Sequence, residues 1–210
     1  MPPSKPRRSP RPDERQRDPE RTRQRILDAA TAEFSAHGYA GARVRAIATR
    51  AGVNQQLVSY YFDGKEGLFQ AMSQQWQQRQ QELTPSGTPM PEQLRRHALE
   101  ALRDPDGVRV FAWSGLQYTG PADDPDRDAR TQMLAGSVEQ LRALQQSGRF
   151  PPDVDPACLL VMLMAAAMAP ITLPQVIESV TESDPGSLEF INHFADQIAI
   201  VARLIGLDPT

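Results

Sequence analysis

The stretch from Arg43 to Lys65 constrains the fold of this chain more than any other segment. Its first part repeats apolar or small side chains at i, i+3, i+4 and i+7, which is the spacing of one buried stripe on an α-helix. These side chains are Val44, Ile47, Ala48 and Ala51. Gly52 follows at once, where the chain needs a positive φ or a close backbone approach to end the helix and turn. Asn54 offers a side-chain oxygen that can cap a second helix. The segment therefore predicts two short helices joined by a tight turn.

The second helix of this hairpin has one inward and one outward face. Three apolar or aromatic side chains turn inward, namely Val58, Tyr61 and Phe62. The side chains that point away are Gln55, Gln56, Ser59 and Tyr60. This pattern is typical of a helix-turn-helix, whose second helix enters the major groove of DNA. An ordinary helical hairpin is the alternative, because it also shows an apolar stripe, a glycine and a cap.

Further motifs flank the hairpin. Ile26 opens an Ile-Leu-x-Ala-Ala-x-x-x-Phe run, Gly38 and Tyr39 stop that helix, and a Tyr-Phe-x-x-Lys-Glu run ends at Glu66. With these motifs, the N-terminal part of the chain resembles the tetracycline-repressor-like (TetR/AcrR) family of bacterial transcription regulators. The resemblance implies a DNA-binding hairpin followed by a domain that binds a small molecule and dimerises.

The chain departs from the family pattern within the hairpin. Ala42 stands where the family usually has a capping Thr, and Leu57 and Ser59 stand where it usually has a small polar residue and a Tyr. The resemblance and the outward face together predict these DNA-binding residues: Arg43, Arg45, Asn54, Gln55, Gln56, Ser59, Tyr60, Tyr61 and Lys65. We expect Lys65 at a phosphate, because the first turn of a helix already favours an anion.

Asp-Pro pairs suggest where further helices begin, because Asp can cap the first amides and Pro fits the first helical position. They start at Asp18, Asp104, Asp124, Asp155 and Asp184. With helices around 65–82 and 91–103, and with no run of period two, these starts predict an all-α chain of about nine helices.

The chain is predicted to contain four segments. They are a disordered basic tail (1–18), a helix-turn-helix DNA-binding domain of three helices (19–64), a linking helix (65–84) and a helical ligand-binding and dimerisation domain (85–210). The tail is rich in Pro and Arg and poor in apolar residues. It is either simply solvated or an arm that reaches DNA through Arg7, Arg8 and Arg11.

Charge is distributed unevenly between the two parts of the chain. Residues 1–82 carry 14 Lys and Arg against 9 Asp and Glu, whereas residues 83–210 carry 9 against 17. A basic first part and an acidic remainder favour double-stranded DNA as a partner of the first part alone.

Two apolar segments in the second half predict a homodimer. Residues 157–171 form the most apolar run, yet they are shorter than the roughly 20 residues that a membrane span needs, so we expect a buried helix and no membrane partner. A later segment repeats apolar residues at 3-4-3-4 spacing, as helices packed in left-handed pairs do. The predicted dimer-interface residues are Leu163, Ala167, Ile191, Phe194, Ile198, Val201 and Ile205. A monomeric core is the alternative.

Aromatic residues on the helix that starts near Pro105 predict a ligand pocket. In the family this part of the chain lines a pocket above the linking helix. The expected lining residues are Trp76, Phe111, Trp113, Ser114, Gln117, Tyr118, Met133, Met168 and Thr172. An apolar or aromatic small-molecule effector would fit such a lining, and ordinary core packing is the alternative.

No motif indicates an enzyme, a metal site or a cofactor. His37, His97 and His193 lack the spacing of a helical metal site, and Cys158 lies in the apolar run without a basic neighbour that would activate it. A single cysteine and the absence of an apolar leader favour the cytoplasm.

The sequence therefore predicts a cytoplasmic, homodimeric transcriptional repressor. We expect it to bind a palindromic operator and to leave it when a small molecule binds. Two alternatives stay open, namely a ligand-independent DNA-binding or architectural protein, and a ligand-binding protein whose hairpin no longer reads DNA.

Overall fold

The computed structural model describes residues 12–85, 87–124 and 126–208. These residues form ten α-helices and a 3-10 turn at Pro121–Asp123. The α-helices are α1 (Pro12–Gly41), α2 (Val44–Ala51), α3 (Gln55–Phe62), α4 (Gly64–Leu83), α5 (Met90–Arg103), α6 (Pro105–Leu116), α7 (Arg127–Gln146), α8 (Pro156–Thr172), α9 (Pro174–Thr181) and α10 (Leu188–Leu204). No strand occurs in these ranges, which confirms the all-α prediction with ten helices against about nine expected.

The chain divides into two compact units between Met72 and Ser73, inside α4. The sequence suggests a boundary at the break after α4, but the two ends of this helix have different neighbours. Phe69 contacts the rings of Phe34 and Tyr39 in the first unit, whereas Trp76 stacks on Phe111 in the second. The helix therefore contributes its first turns to one unit and its remainder to the other.

The first unit packs α1, α2 and α3 around one apolar core. The most completely buried of its side chains include Ile26, Phe34, Ile47 and Val58. Gly38 has φ 65° and ψ 177°, so the path of α1 bends at the Gly38-Tyr39 pair that the sequence marks as a helix stop. This bend places the end of α1 next to the start of the hairpin.

The second unit is built around α5, which packs on α6, α8 and α10, while α7 also packs on α8. Its main core is formed by apolar side chains of these helices and of the loop after α7. The core residues include Met90, Leu94, Ala98, Leu141, Phe150, Leu159, Leu160, Leu163, Ala167, Ala195, Ile198, Ala202 and Leu207.

Two of the Asp-Pro pairs begin helices as predicted. The carboxylate of Asp104 accepts a hydrogen bond from the Gly107 N–H at 3.1 Å, and that of Asp155 accepts one from the Cys158 N–H at 2.8 Å. The prediction is wrong for Asp184, whose carboxylate accepts from the Gly186 N–H in a turn, so that Ser187 caps α10 instead. Short polar side chains serve turns as readily as helix caps.

Two other Asp-Pro pairs also differ from the prediction. Helix α7 begins at Arg127 with Asp126 as its cap residue, after the pair at Asp124. Pro19 lies inside α1, which begins at Pro12, so residues 12–18 of the predicted disordered tail are helical. The Glu, Arg and Gln residues of that stretch are strong helix formers even though few are apolar. Residues 1–11, with the arginines of the proposed arm, lie outside the described residues.

In the part of the chain that the structure describes, no single helix is long and apolar enough to cross a membrane. Helices α8 and α9 meet that test only as a pair, and they are bent by 83° relative to each other.

Candidate DNA-binding surface and ligand cavity

The hairpin of α2 and α3 is closed by a left-handed glycine and a helix cap. Gly52 has φ 65° and ψ 37°, and the Val53 N–H donates back to the Ala48 carbonyl at 3.0 Å. The Asn54 side chain then accepts a hydrogen bond from the Leu57 N–H at 2.8 Å and starts α3. These are the turn and the cap that the sequence predicts, and they set α3 against α2 through buried Val58.

Eight of the nine predicted DNA-binding residues, all but Lys65, lie on the hairpin. Seven of the eight are exposed, namely Arg43, Arg45, Asn54, Gln55, Gln56, Ser59 and Tyr60. Tyr60 is 81% exposed, and the half-buried Tyr61 packs edge to face against it with ring centroids 5.4 Å apart. A tyrosine so exposed next to two glutamines gives α3 both apolar contact area and amide groups for base edges.

Lys65 is tied to the end of α1. Its Nζ lies 3.4 Å from the Ala40 carbonyl oxygen and 4.7 Å from the centroid of the Tyr39 ring. Partial burial lowers the pKa of Lys65. The ammonium group therefore links α4 to α1, in the first turn of α4, where backbone amides favour an anion.

Glu33 is a functional candidate that the sequence-based reasoning missed. It is 7% exposed, and its Oε1 accepts a hydrogen bond from the Arg43 N–H at 3.2 Å. The Arg43 side chain makes no cap hydrogen bond at the start of α2. The Glu33 carboxylate of α1 instead accepts from the Arg43 backbone amide at this helix end. The available signal was its place three residues after Ala30, where a charge interrupts the apolar stripe of α1.

The second unit contains a partly open cavity of about 800 Å³. Trp76 of α4 and Phe111 of α6 form one wall, with ring centroids 5.8 Å apart and planes inclined by 23°. Other apolar lining residues are Met90, Leu94, Ala101, Val108, Met133, Leu134, Leu160, Met164, Ala167 and Met168. A volume and a lining of this kind suit a drug-sized, largely apolar molecule.

Only part of the predicted ligand site meets in this cavity. The lining contains Trp76, Phe111, Met133 and Met168. The residues predicted but absent from it are Trp113, Ser114, Gln117, Tyr118 and Thr172. The cavity meets α6 on the face of Val108 and Phe111, so Trp113, about 200° further around the helix, points elsewhere. Ser114, Gln117 and Tyr118 come after Phe111, the last residue of α6 in the lining, and Thr172 comes after Met168, the last one of α8. The Thr172 hydroxyl donates to the Met168 carbonyl at 3.1 Å.

The cavity also has a polar wall on α5 that was not predicted. Its members on that helix are Gln93, His97 and Glu100, followed by Asp104 at its end. They recur at i, i+4, i+7 and i+11, so the signal available in the sequence is a polar stripe of helical period along α5.

Hydrogen bonds and one ion pair hold most of this polar wall in place. The His97 Nδ1 lies 3.0 Å from Gln80 Oε1, and burial lowers the pKa of His97. Gln93 donates to the Gln140 side chain at 3.0 Å, and Asp104 pairs with Arg79 at 3.1 Å.

The predicted dimer-interface residues fall on two different surfaces. Leu163, Ala167, Ile191 and Ile198 are buried in the core of the single chain, and Phe194 is half-buried and stacked on Phe190. Only Val201 and Ile205 are exposed. In the single chain the four buried residues pack in the core of their own unit, so their place in a dimer interface stays a prediction.

The outward faces of α8 and α10 carry a different set of apolar side chains. Val161 and Met162 of α8 are each 66% exposed, and Leu204 of α10 is 80% exposed. Apolar side chains so exposed on neighbouring helices suggest an interaction surface.

Among the described residues, no three His, Cys, Asp or Glu side chains come together as a metal site. Cys158 is exposed beside Asp155, whose hydrogen bond and negative charge raise the pKa of the thiol. A thiol held in its neutral form is a poor nucleophile.

Known proteins resemble both parts of the chain. Residues 26–72 match the sequence pattern of the bacterial regulatory proteins of the tetR family, and residues 90–189 match that of the tetracyclin repressor-like C-terminal domain. The chain is 33% identical over 165 residues to the HTH-type transcriptional repressor SCO4008 of Streptomyces coelicolor, covering 76% of this chain and 83% of that protein. It is 28% identical over 188 residues to the HTH-type transcriptional regulator RutR of Escherichia coli, covering 82% of this chain and 84% of that protein.

One solved structure extends the likeness to the fold. The transcriptional regulator SCO4942 of Streptomyces coelicolor matches with a TM-score of 0.70 and 26% sequence identity. The match covers 89% of this chain and 99% of that one.

Proposed function

The chain belongs to the tetR family of bacterial regulatory proteins, and on that basis we propose that it is a dimeric repressor that leaves a palindromic operator when a small molecule fills its cavity. The exposed face of α3, set on a closed helix-turn-helix, is the observation that carries the proposal. Repression itself is supported by the similarity to a protein named as a repressor.

Base recognition is assigned to the first turns of α3. Gln55 and Gln56 stand at the exposed start of the helix, and glutamine pairs with adenine through two hydrogen bonds in the major groove. Tyr60 can pack on a thymine methyl group, and Arg45 of α2 can reach a neighbouring base. Lys65 and the amides of its helical turn are assigned to a backbone phosphate.

The dimer is assigned to the outward faces of α8 and α10. Pairing two copies through Val161, Met162 and Leu204 would remove these exposed side chains from water. A two-fold dimer carries two copies of α3, and if they bind half-sites about 34 Å apart, one turn of the duplex, the operator has to be palindromic.

Ligand control is assigned to the cavity of the second unit. Trp76 on its wall belongs to the same continuous helix, α4, that carries Lys65 in the first unit. A molecule that binds more tightly when α4 is in one placement than in another would favour that placement and so change operator affinity. By linkage, the ligand and the operator would weaken each other by the same factor.

The test begins with genome-wide recovery of the DNA bound by the protein, which supplies the operator. In binding assays on that operator, Gln55→Ala should cost about 1–3 kcal/mol and relax the preference at one base pair in each half-site. Gln132→Ala, on the exposed side of α7, is the matched control and should bind as the wild type does. If Gln55→Ala kept both affinity and preference, α3 would not be the reading helix.

A further inference from the structure

The charged and titratable groups of the cavity wall are almost all compensated. Asp104 pairs with Arg79 at 3.1 Å, and Arg130 pairs with both carboxylate oxygens of Asp124. Glu100 is the exception. Among the residues that the structure describes, no side chain donates a hydrogen bond to its carboxylate or forms an ion pair with it.

The surroundings of Glu100 are unlike an anion site. His97, one turn earlier on α5, is hydrogen-bonded to Gln80, and burial keeps its imidazole in the neutral form by lowering its pKa. Of the lysines and arginines that the structure describes, Arg130 alone lines the cavity, and it is paired with Asp124. The other polar groups of the wall are glutamine amides and the hydroxyls of Thr84 and Ser137, and its apolar side chains include methionines and two aromatic rings.

These groups together select for positive charge. A carboxylate that faces a largely apolar space gains most from a cation, because the low polarity of the surroundings strengthens their attraction. The Trp76 and Phe111 rings attract a cation through their negative faces, and thioethers such as Met133 and Met168 adapt to irregular apolar shapes. An anionic guest would instead have to displace Asp124 from Arg130 and approach Glu100 without a counter-ion.

We propose that the cavity binds a lipophilic organic cation, with its charge beside Glu100 and its aromatic part against Trp76 and Phe111. The proposal names the chemical class of the effector. It rests on the proposed function in one respect, which is the expected effect of the cation on operator binding. Binding of the cation by the second unit stands on the cavity alone.

The probes are three phenyl compounds of similar bulk and different charge. Tetraphenylphosphonium is a cation, tetraphenylborate is an anion of the same shape, and triphenylphosphine oxide is neutral. Titrations of the full-length protein by calorimetry should show tetraphenylphosphonium binding the tightest. Glu100→Gln keeps the size of the side chain and removes its charge, so it should weaken phosphonium binding by about ten- to a hundredfold and leave the neutral oxide almost unaffected.

Glu139→Gln is the matched control. Glu139 lies on the exposed side of α7, where it pairs with Arg142 of the same helix. This variant should bind tetraphenylphosphonium as the wild type does, and both variants should show the wild-type thermal unfolding.

The inference is overturned if the borate or the oxide binds as tightly as the phosphonium, if the phosphonium does not bind, or if Glu100→Gln leaves its affinity unchanged. The proposed function has a separate readout, which is operator affinity in the presence of saturating phosphonium. Charge-dependent binding with unchanged operator affinity would support the cation site and contradict ligand control. Release of the operator from the wild type by the neutral oxide, with no binding of the phosphonium, would do the reverse.

Discussion

The recognition hairpin and the ligand cavity are built over very different distances along the chain. The hairpin is closed by contacts between neighbours, such as the Asn54 cap on Leu57 and the return from Val53 to Ala48. The cavity brings together side chains from Trp76 to Met168, which lie on five different helices. The shape of the hairpin is therefore determined by contacts within one short segment, whereas the shape of the cavity depends on how all five contributing helices pack.

The largest effect that we expect separates the core of the second unit from its outer surface. Ile198→Glu would bury an unpaired charge in the cluster that includes Leu163 and Ala195, at a cost of more than about 4 kcal/mol. Thermal unfolding followed by circular dichroism should show the second unit largely unfolded at ordinary temperatures.

Leu204→Glu is the matched surface change on the same helix, α10. Because Leu204 is 80% exposed, the substitution should alter the stability of the single chain by less than about 0.5 kcal/mol. In sedimentation it should nevertheless yield monomers, since it places a charge in the proposed dimer interface. A folded Ile198→Glu protein, or a Leu204→Glu protein that still sediments as a dimer, would contradict this assignment of the two faces.

The next effect concerns the junction between α3 and α4 in the first unit. A β-carbon on Gly67 would overlap the carbonyl oxygen of Phe62, which is backbone and cannot rotate away. We expect Gly67→Ala to destabilise the first unit by about 2–4 kcal/mol, even after the gain of about 1 kcal/mol in helix propensity. Operator binding should fall with it.

Gly115→Ala serves as the control for added volume in a helix. Apart from its chain neighbours and the backbone of its own helix, no atom lies within 4 Å of a β-carbon at Gly115, so this change should be neutral or slightly stabilising. If Gly67→Ala proved equally harmless, the junction would not be as rigid as its backbone contact implies.

A smaller effect is expected where α6 meets Trp76. A β-carbon on Gly107 would lie 2.5 Å from Nε1 of Trp76 and 2.9 Å from Oδ2 of Asp104. Because the indole can shift, we expect Gly107→Ala to cost about 1–2 kcal/mol and to separate Trp76 from Phe111. A changed tryptophan emission spectrum and weaker phosphonium binding should follow, with operator affinity in the absence of ligand unchanged.

The same difference in distance explains what the sequence could predict. The turn at Gly52, the cap at Asn54 and the open face of α3 follow from patterns within one short segment. The cavity wall on α5 has a pattern too, in Gln93, His97 and Glu100, but nothing local says whether a polar stripe faces water or a cavity. Likewise, Ile198 and Leu204 both lie on apolar sides of α10, and only packing decides which side is core.

Glu33 offers a finer test of the hairpin, because its role depends on a contact between helices. Glu33→Ala removes the acceptor for the Arg43 N–H and should destabilise the first unit by about 1 kcal/mol, as the loss of a helix cap does. Operator affinity should fall several-fold, since α2 supports α3. Glu33→Gln retains a side-chain oxygen and should restore most of both. If the two variants behaved alike, the hydrogen bond would not matter to the hairpin.

The smallest effect at neutral pH is expected from His97 in the cavity wall. Burial lowers the pKa of His97 in the folded protein, and its ring faces Gln80 of α4 while Glu100 and the Arg79-paired Asp104 lie on the same wall. As the pH falls below about 6.5, the unfolded chain takes up a proton first, so stability decreases until the pH passes through the lowered pKa of the folded state. One proton limits the slope to about 1.4 kcal/mol per pH unit. His97→Gln should flatten the pH dependence of thermal unfolding in this window, whereas His193→Gln, at an exposed site on α10, should leave it unchanged. An unaltered acid slope in His97→Gln would mean that the imidazole is not held neutral by the cavity wall.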